Sequence, residues 1–551
     1  MNTLKLSGKL YAEMLRIGAA RLRDNIKIVN DLNVFPIPDG DTGDNMFLTI
    51  DSGISMLGDS EVDLSLSETA QSTAKGMLLG ARGNSGVILS RIFAGISKGL
   101  EGIDEADVEQ LNDAMKSGIK ESYSAVSVPV EGTILTVFKD AVFYCSTRLT
   151  SGKTFEEYFD DFIWELKRSL ERTPDLLDVL KEAGVVDSGG AGFIYIAEGM
   201  RAALDGETSE HSELTITTRK NVDLNAFTED SVLEFGYCTE FLLRLQRSKI
   251  DIDSFDLDAL ISWLNSVGDS VVAFREGTIV KVHVHTMKPG DVFNYVQQFG
   301  EFLTTKVENM TLQHNENHAR KAFEPKKKKL RKPYGIVSVA SGEGIKEAFL
   351  SLGCDIVVDG GQSMNPSAED LIEAFKEINA DTILVFPNNG NIILTANQAA
   401  ALYSEAEIRV VPTKNIGDGY AAISMLDTGS GDTDAIIAEL EEVISGVVTG
   451  MVSKAVRDTE LDGVTVKKDD YIGFVGDKIY VDSPDKADAA ESLVEQLDAK
   501  SYDIMLVVSG CDVDNADAQA FCDKMQKLYR RTEVVLIDGG QPIYDYIIIL
   551  E

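Results

Sequence analysis

Histidine and cysteine are scarce in this chain of 551 residues, with five of each. The cysteines (145, 238, 354, 511 and 522) follow no spacing of a disulfide framework, which fits a reducing compartment, and a cytoplasmic protein is expected. Basic residues are short as well: 52 Lys and Arg stand against 90 Asp and Glu, for a formal net charge of −38. Such an acidic surface lacks the field that nucleic acid or an anionic bilayer requires. No apolar run approaches the roughly 18 residues of a membrane span, and the opening Met1-Asn-Thr-Leu-Lys-Leu-Ser-Gly has no signal-like apolar stretch. Neither a nucleic-acid binder nor an integral membrane protein is expected. Absent too are a Walker-type Gly-x-x-x-x-Gly-Lys-Ser/Thr and the kinase His-Arg-Asp and Asp-Phe-Gly sets.

What is present is a dense run near the start, Asn33-Val-Phe-Pro-Ile-Pro-Asp-Gly-Asp-Thr-Gly-Asp-Asn-Met46. Pro36 and Pro38 forbid a regular helix, and Gly40 and Gly43 let the carboxylates of Asp39, Asp41 and Asp44 converge. Converging carboxylates repel unless a cation lies among them, and a hard ion such as Mg²⁺ takes oxygen ligands that it shares with phosphates. An Asp-Gly-Asp alone would read more plainly as a turn capping the helix near Asn45.

The chain is long enough for three or four domains. Residues 1–205 read as successive helices. Leu10, Met14, Ile17, Ala20 and Leu22 follow a helical period, as do Phe155, Phe159, Phe162 and Leu166. Residues 206–222 read as a polar linker. Residues 223–320 alternate strands and helices, predicting a small α/β domain. The basic Lys326–Lys329 segment reads as a hinge, with an anion-binding patch as the less favoured alternative. From 334 to 551, apolar strands alternate with helices, as in a parallel sheet covered on both faces. There Val358-Asp-Gly-Gly-Gln362 is echoed by Ile537-Asp-Gly-Gly-Gln541, each directly after a strand.

Three further loops in the helical region suit phosphate. Gly80-Ala-Arg-Gly-Asn-Ser-Gly86 precedes a helix, so its N–H groups, the Ser85 hydroxyl and the Arg82 charge are available to an anion. Val128-Pro-Val-Glu-Gly-Thr-Ile-Leu-Thr136 offers Thr133 and Thr136, and Val186-Asp-Ser-Gly-Gly-Ala-Gly192 joins Asp187 to Gly189, Gly190 and Gly192.

Taken in order, Pro-Asp-Gly-Asp-Thr-Gly, Gly-Asn-Ser-Gly, Glu-Gly-Thr-Ile-Leu-Thr and Asp-Ser-Gly-Gly-Ala-Gly resemble the nucleotide-binding domain of the dihydroxyacetone kinase family. The three-part layout resembles the ATP-binding component of bacterial fatty acid kinases over essentially the whole chain. The resemblance implies an all-α helical barrel holding ATP and Mg²⁺ at the loops of one end. It implies as acceptor a fatty acid carried by a separate DegV-type lipid-binding protein, with acyl phosphate as product. By the family motif, Asp39 and Asp41 bind metal, Gly83, Asn84, Ser85 and Gly86 form the phosphate loop, and Asp187 to Gly192 form the last nucleotide loop. The family's further aspartate, about five residues before the Asp-Gly-Asp pair, is replaced by Val34, which leaves Asp44, Asn45 or Asn33 as the third ligand. A carboxylate acceptor is already ionised at pH 7 and needs no general base, and no histidine precedes His211.

His283 and His285 lie two apart on an expected strand, and Cys238 begins another. Together they form a candidate Zn²⁺ set, with water, a carboxylate or His314 as fourth ligand, against the plainer reading of two half-buried histidines and an inert core cysteine. The resemblance gives this region a similar set. The C-terminal region resembles DegV-type folds, implying carrier docking or self-association, and a homodimer is expected. Asn388-Asn-Gly-Asn391 is a polar loop that either contacts a ligand or simply turns. The competing readings are a self-contained ketone or sugar kinase and a nucleotide-sensing lipid-binding scaffold.

Overall fold

Helix-start chemistry recurs along the chain. Ser65 with Glu68, Asp107 with Gln110, Thr154 with Glu157 and Ser367 with Asp370 each form a reciprocal capping box. In the computed structural model the described residues are 3–32, 40–57, 64–126, 128–207, 237–252, 255–276, 278–309, 331–361, 365–429 and 431–551. They form two compact units, residues 1–211 with 330–551, and residues 212–329.

The first part of the larger unit is helical. Its long helices are α1 (Gly8–Arg23), α3 (Thr42–Ser55), α4 (Leu66–Gly80), α5 (Gly83–Gly99), α6 (Val108–Ser124), α7 (Ile134–Ser146), α8 (Phe155–Glu171) and α11 (Ser188–Leu204). The short α2 (Ile26–Asn30), α9 (Thr173–Leu176) and α10 (Asp178–Ala183) fill the connections. Phe155, Phe159, Phe162 and Leu166 are all buried, as their period predicts. In α1, Met14, Ile17 and Leu22 of the expected stripe are buried and Tyr11, Leu15 and Gly18 widen it, whereas Leu10 and Ala20 are only partly covered. The strands among the described residues of this part are the two-residue pair β1 (Leu6–Ser7) and β2 (Glu105–Ala106).

The second part of the same unit carries two main sheets. One, in the order β10 (Glu407–Val410), β9 (Ala380–Phe386), β7 (Lys332–Ala340), β8 (Ile356–Asp359), is wholly parallel, as expected. The other runs β15 (Lys478–Ser483), β14 (Tyr471–Val475), β11 (Val448–Lys454), β18 (Tyr544–Leu550), β16 (Ile504–Gly510), β17 (Glu533–Gln541). Only β16 and β17 are parallel in it. The expectation of a parallel sheet is corrected here. A two-residue turn, with Gly476 at φ +56°, reverses the chain between β14 and β15, and a turn so short can join only antiparallel neighbours. A small pair, β12 (Thr459–Leu461) with β13 (Val464–Val466), stands apart from both sheets.

The smaller unit is an antiparallel sheet in the order β4 (Asp269–Glu276), β5 (Ile279–Thr286), β3 (Tyr237–Leu245), β6 (Gly300–Asn309), with α12 (Leu257–Val267) and α13 (Pro289–Val296). Its core gathers Phe241, Leu243, Leu260, Leu264, Val282 and Val292.

Candidate active site

Five helices begin at one cavity of about 340 Å³. Its walls are the starts of α3 (Asp41, Thr42, Asn45), α5 (Asn84, Ser85, Ile88), α7 (Thr133, Ile134, Leu135) and α11 (Asp187, Ser188, Gly189), together with Asn391 and Leu394 of the helix Gly390–Leu402. Val126 and Val130 add an apolar side. A helix start exposes N–H groups that lack intrahelical partners and carries about half a positive charge. Asp41, Arg82 and Thr133 stand at the N-caps of α3, α5 and α7, and none makes a side-chain capping bond. Convergent helix starts of this kind suit a polyanion.

The carboxylates point to a cation. Asp41 is pushed up to about 6, chiefly by burial and further by the Asp44 charge, against hydrogen bonds from Asn45 and Asn365. Asp187 is also pushed up to about 6 by burial, against the N–H groups of Gly190 and Ile134. No lysine or arginine is among the described lining residues. A bound polyphosphate would therefore have its charge met by helix ends and by a metal ion at the carboxylates. A hard oxygen is to hand, since the Oδ1 of Asn84 in the cavity wall is buried without a hydrogen-bond partner. The residues present thus fit Mg²⁺, although no group of three or more His, Cys, Asp or Glu gathers among the described residues. Asp39 and Asn33 lie outside them.

The residues singled out in the loops divide between lining and bracing. Asn84, Ser85, Thr133, Asp187 and Gly189 line the cavity. Thr133 Oγ1 donates to Val130 O at 2.8 Å, and Asp187 Oδ2 accepts from Gly190 N–H at 2.6 Å. Thr136 braces its own loop, accepting from Gly132 N–H at 2.8 Å and donating to Glu131 Oε2 at 2.5 Å. Gly83 adopts φ +57°, and a Cβ there would lie 2.5 Å from Asn45 Nδ2. At Gly86 a Cβ would lie 2.4 Å from Thr49 Oγ1, so this glycine lets α5 approach α3. Gly192 packs against Met46. Asp44 Oδ2 accepts from Asn30 Nδ2 at 2.7 Å. The Arg82 guanidinium donates to the carbonyl of Asn365 at 2.8 Å and pairs with Asp370 at 3.5 Å.

Thr42 and Ser188, whose hydroxyls are 3.2 Å apart, join two of the loops and were not singled out. Their position one residue inside a helix start is the signal that could have found them. Asn365 and Leu394 carry no local signal of the cavity.

In the smaller unit the backbone register sets Cys238 opposite His285, and Glu240 opposite His283. The side chains of Cys238, His283 and His285, and all of His314, lie outside the described residues.

Three family profiles match the chain: a DAK2 domain over 36–202, a FakA-like fatty acid kinase middle domain over 234–317, and a FakA-like fatty acid kinase C-terminal region over 335–551. Protein YloV of Bacillus subtilis (strain 168) is 38% identical over 561 residues, covering 100% of both chains. An uncharacterized protein of Staphylococcus aureus (strain USA300) is 38% identical over 551 residues, covering 99% of this chain and 100% of its own. Among solved structures, a fatty-acid-binding DegV family protein from Thermus thermophilus covers 40% of this chain and 99% of its own, at 14% identity and a TM-score of 0.30. The dihydroxyacetone kinase from C. freundii in complex with AMP-PNP and Mg²⁺ covers 36% of this chain and 35% of its own, at 18% identity and a TM-score of 0.29.

Proposed function

The chain belongs to the FakA-like fatty acid kinase family, and from that premise we propose that it phosphorylates a fatty acid carboxylate with ATP and Mg²⁺, the acid being presented by a separate DegV-type carrier. One acyl oxygen bonds to the γ-phosphorus, the bond from that phosphorus to the β–γ bridging oxygen breaks, and acyl phosphate and ADP result. No proton need be removed, because the acceptor is ionised at neutral pH. Phosphoryl transfer of this kind rests on positioning and charge neutralisation.

The observation that carries the reading is the convergence of helix starts on a cavity holding two carboxylates and no cationic side chain among the described lining residues. Asp41, with Asp39 and the amide oxygen of Asn84, would hold Mg²⁺. The ion would draw charge from the transferring phosphoryl group. Ser85, Thr42 and the first N–H groups of α5 would hold phosphate oxygens, and the apolar side at Ile88, Val126 and Leu135 suits the base. Val128 and Val130, 74% and 45% exposed beside the cavity, give the acyl carrier an apolar place to approach.

Transfer from labelled ATP to oleate, measured with Mg²⁺ in the presence and absence of a purified carrier and with dihydroxyacetone in a parallel tube, tests this. Carrier-dependent acyl phosphate is expected. Transfer to dihydroxyacetone without a carrier would replace the reading with ketone phosphorylation.

A further inference from the structure

The α/β region reaches the cavity at the helix starts, where one of its residues bonds the Asp41 carboxylate. Asn365 stands on the loop before the helix Ala368–Glu377 and is 1% exposed. Its Nδ2 donates to Asp41 Oδ2, 324 positions away in the chain, at 2.5 Å, and lies 3.5 Å from Asn45 Oδ1. Its main-chain carbonyl accepts from Arg82, and its own Oδ1 is buried without a partner. Around it the two regions are joined by Ala368 N–H to Ala81 O at 3.3 Å and by Asn84 Nδ2 to Asn391 Oδ1 at 3.1 Å.

The Asn365 amide differs from a joint in what it holds, because its donor end bonds a carboxylate of the cavity wall and not a main-chain group. Here one end grips a carboxylate oxygen and the other is unspent. Asn365 and Asn45 both bond the Asp41 carboxylate and so fix its orientation, the usual service of residues behind a metal ligand.

Resting on the reading of the cavity as a Mg²⁺–nucleotide site, we propose that Asn365 is a positioning residue of that site, through which the α/β region sets the Asp41 carboxylate for the metal. The helical region then holds the nucleotide, and the α/β region controls how well its metal complex is held. Gln398 provides the contrast. It is buried between the same two regions, donating to Leu78 O at 2.5 Å and accepting from Arg91 Nε at 3.0 Å, but neither of these partners lines the cavity, whereas Asp41 does.

The test uses the full chain and the variants Asn365→Ala, Asn365→Leu and Gln398→Ala. A fluorescent N-methylanthraniloyl ATP is titrated with Mg²⁺ and again with EDTA, and ligand-free melting is recorded alongside. Asn365→Leu is near-isosteric and removes the unpaired carbonyl, so it guards against a variant that fails to fold. Both Asn365 variants are expected to weaken binding about tenfold or more in Mg²⁺ and to leave binding in EDTA unchanged. Gln398→Ala should lower the melting temperature without a Mg²⁺-selective loss. Unchanged binding in Mg²⁺ for the Asn365 variants, equal losses with and without the ion, or a Mg²⁺-selective loss in Gln398→Ala would each overturn the proposal. A parent chain that binds no Mg²⁺–nucleotide would instead defeat the functional reading, so the two failures are told apart.

Discussion

Two cavities in the larger unit use polar groups in contrasting ways. The one at the helix starts, about 340 Å³, has three helix ends without side-chain caps and two carboxylates raised by burial. The other, about 40 Å³, lies at the carboxyl ends of β7, β8 and β9, among Val339, Ser341, Gly360, Asn388, Asn389, Gln541 and Tyr544. Its amides hold the strand ends together. Asn388 Nδ2 donates to Ser338 Oγ at 2.8 Å and to Val339 O at 2.9 Å, while Gln541 Nε2 bonds Val508 O and Tyr544 O at 3.3 and 3.2 Å. Uncapped helix starts with raised carboxylates make a site for a polyanion, whereas amides whose N–H groups turn on strand ends make a joint, even with Asn388 Oδ1 and Gln541 Oε1 left unpartnered. By volume the second cavity of about 40 Å³ holds only a few waters, so an acyl chain has no room there.

The contrast can be broken most strongly at Asp41. Asp41→Ala is expected to lower the rate of transfer by about 10³-fold or more, with an unchanged circular dichroism spectrum, and normal turnover would remove the metal assignment. Asp39→Ala carries the same expectation. Next comes Gly83→Ala, which combines a positive φ with a Cβ pressed on Asn45. It should cost about 1–2 kcal/mol in stability and weaken nucleotide binding with it. A variant that melts and binds like the parent would show that the turn is not required.

At the second cavity, Asn388→Ala should cost about 1–3 kcal/mol by leaving the Ser338 and Val339 acceptors unmet, and should leave ATP affinity alone. A loss of ATP affinity without a loss of stability would erase the distinction between the two cavities. The second cavity's size also makes a binding prediction: the purified chain should not retain labelled oleate after gel filtration, and one-to-one retention would contradict the volume argument.

The smallest effect is one of pH. Burial raises the Asp187 carboxyl to about 6, so its charged form is disfavoured in the fold. Its contribution to stability is therefore whole below about pH 4, near the ordinary carboxylate value, and is lost as pH rises through about 6. Asp187→Asn keeps an oxygen for the Gly190 N–H and should flatten that part of the melting-temperature profile. An unaltered profile would mean that the carboxyl is not raised.

The aromatic stripe of α8 was legible because four large apolar residues at helical spacing have only one face on which to be buried. The α1 stripe was legible at Met14, Ile17 and Leu22, while Tyr11, Leu15 and Gly18 were missed because a core-facing helix buries a face wider than one residue per turn. The antiparallel strands β11, β14, β15 and β18 were not read. Their order in the sheet depends on pairings that an apolar run shares with any parallel strand. Within the loops, turn chemistry marked where helices begin, but did not separate Asn84 and Asp187, which line the cavity, from Thr136 and Gly192, which brace it.

Local sequence by itself settled the acidic, spanless character of the chain, the succession of helices and then strands, and the polar loops at the helix starts. These depend on charge, periodicity and turn residues within a few positions of one another. Only the tertiary structure decided that four of those loops share one cavity and that Asn365 and Asn391 of the α/β region join them. Contacts across more than 300 positions leave no local pattern, because what brings them together is the packing of whole regions.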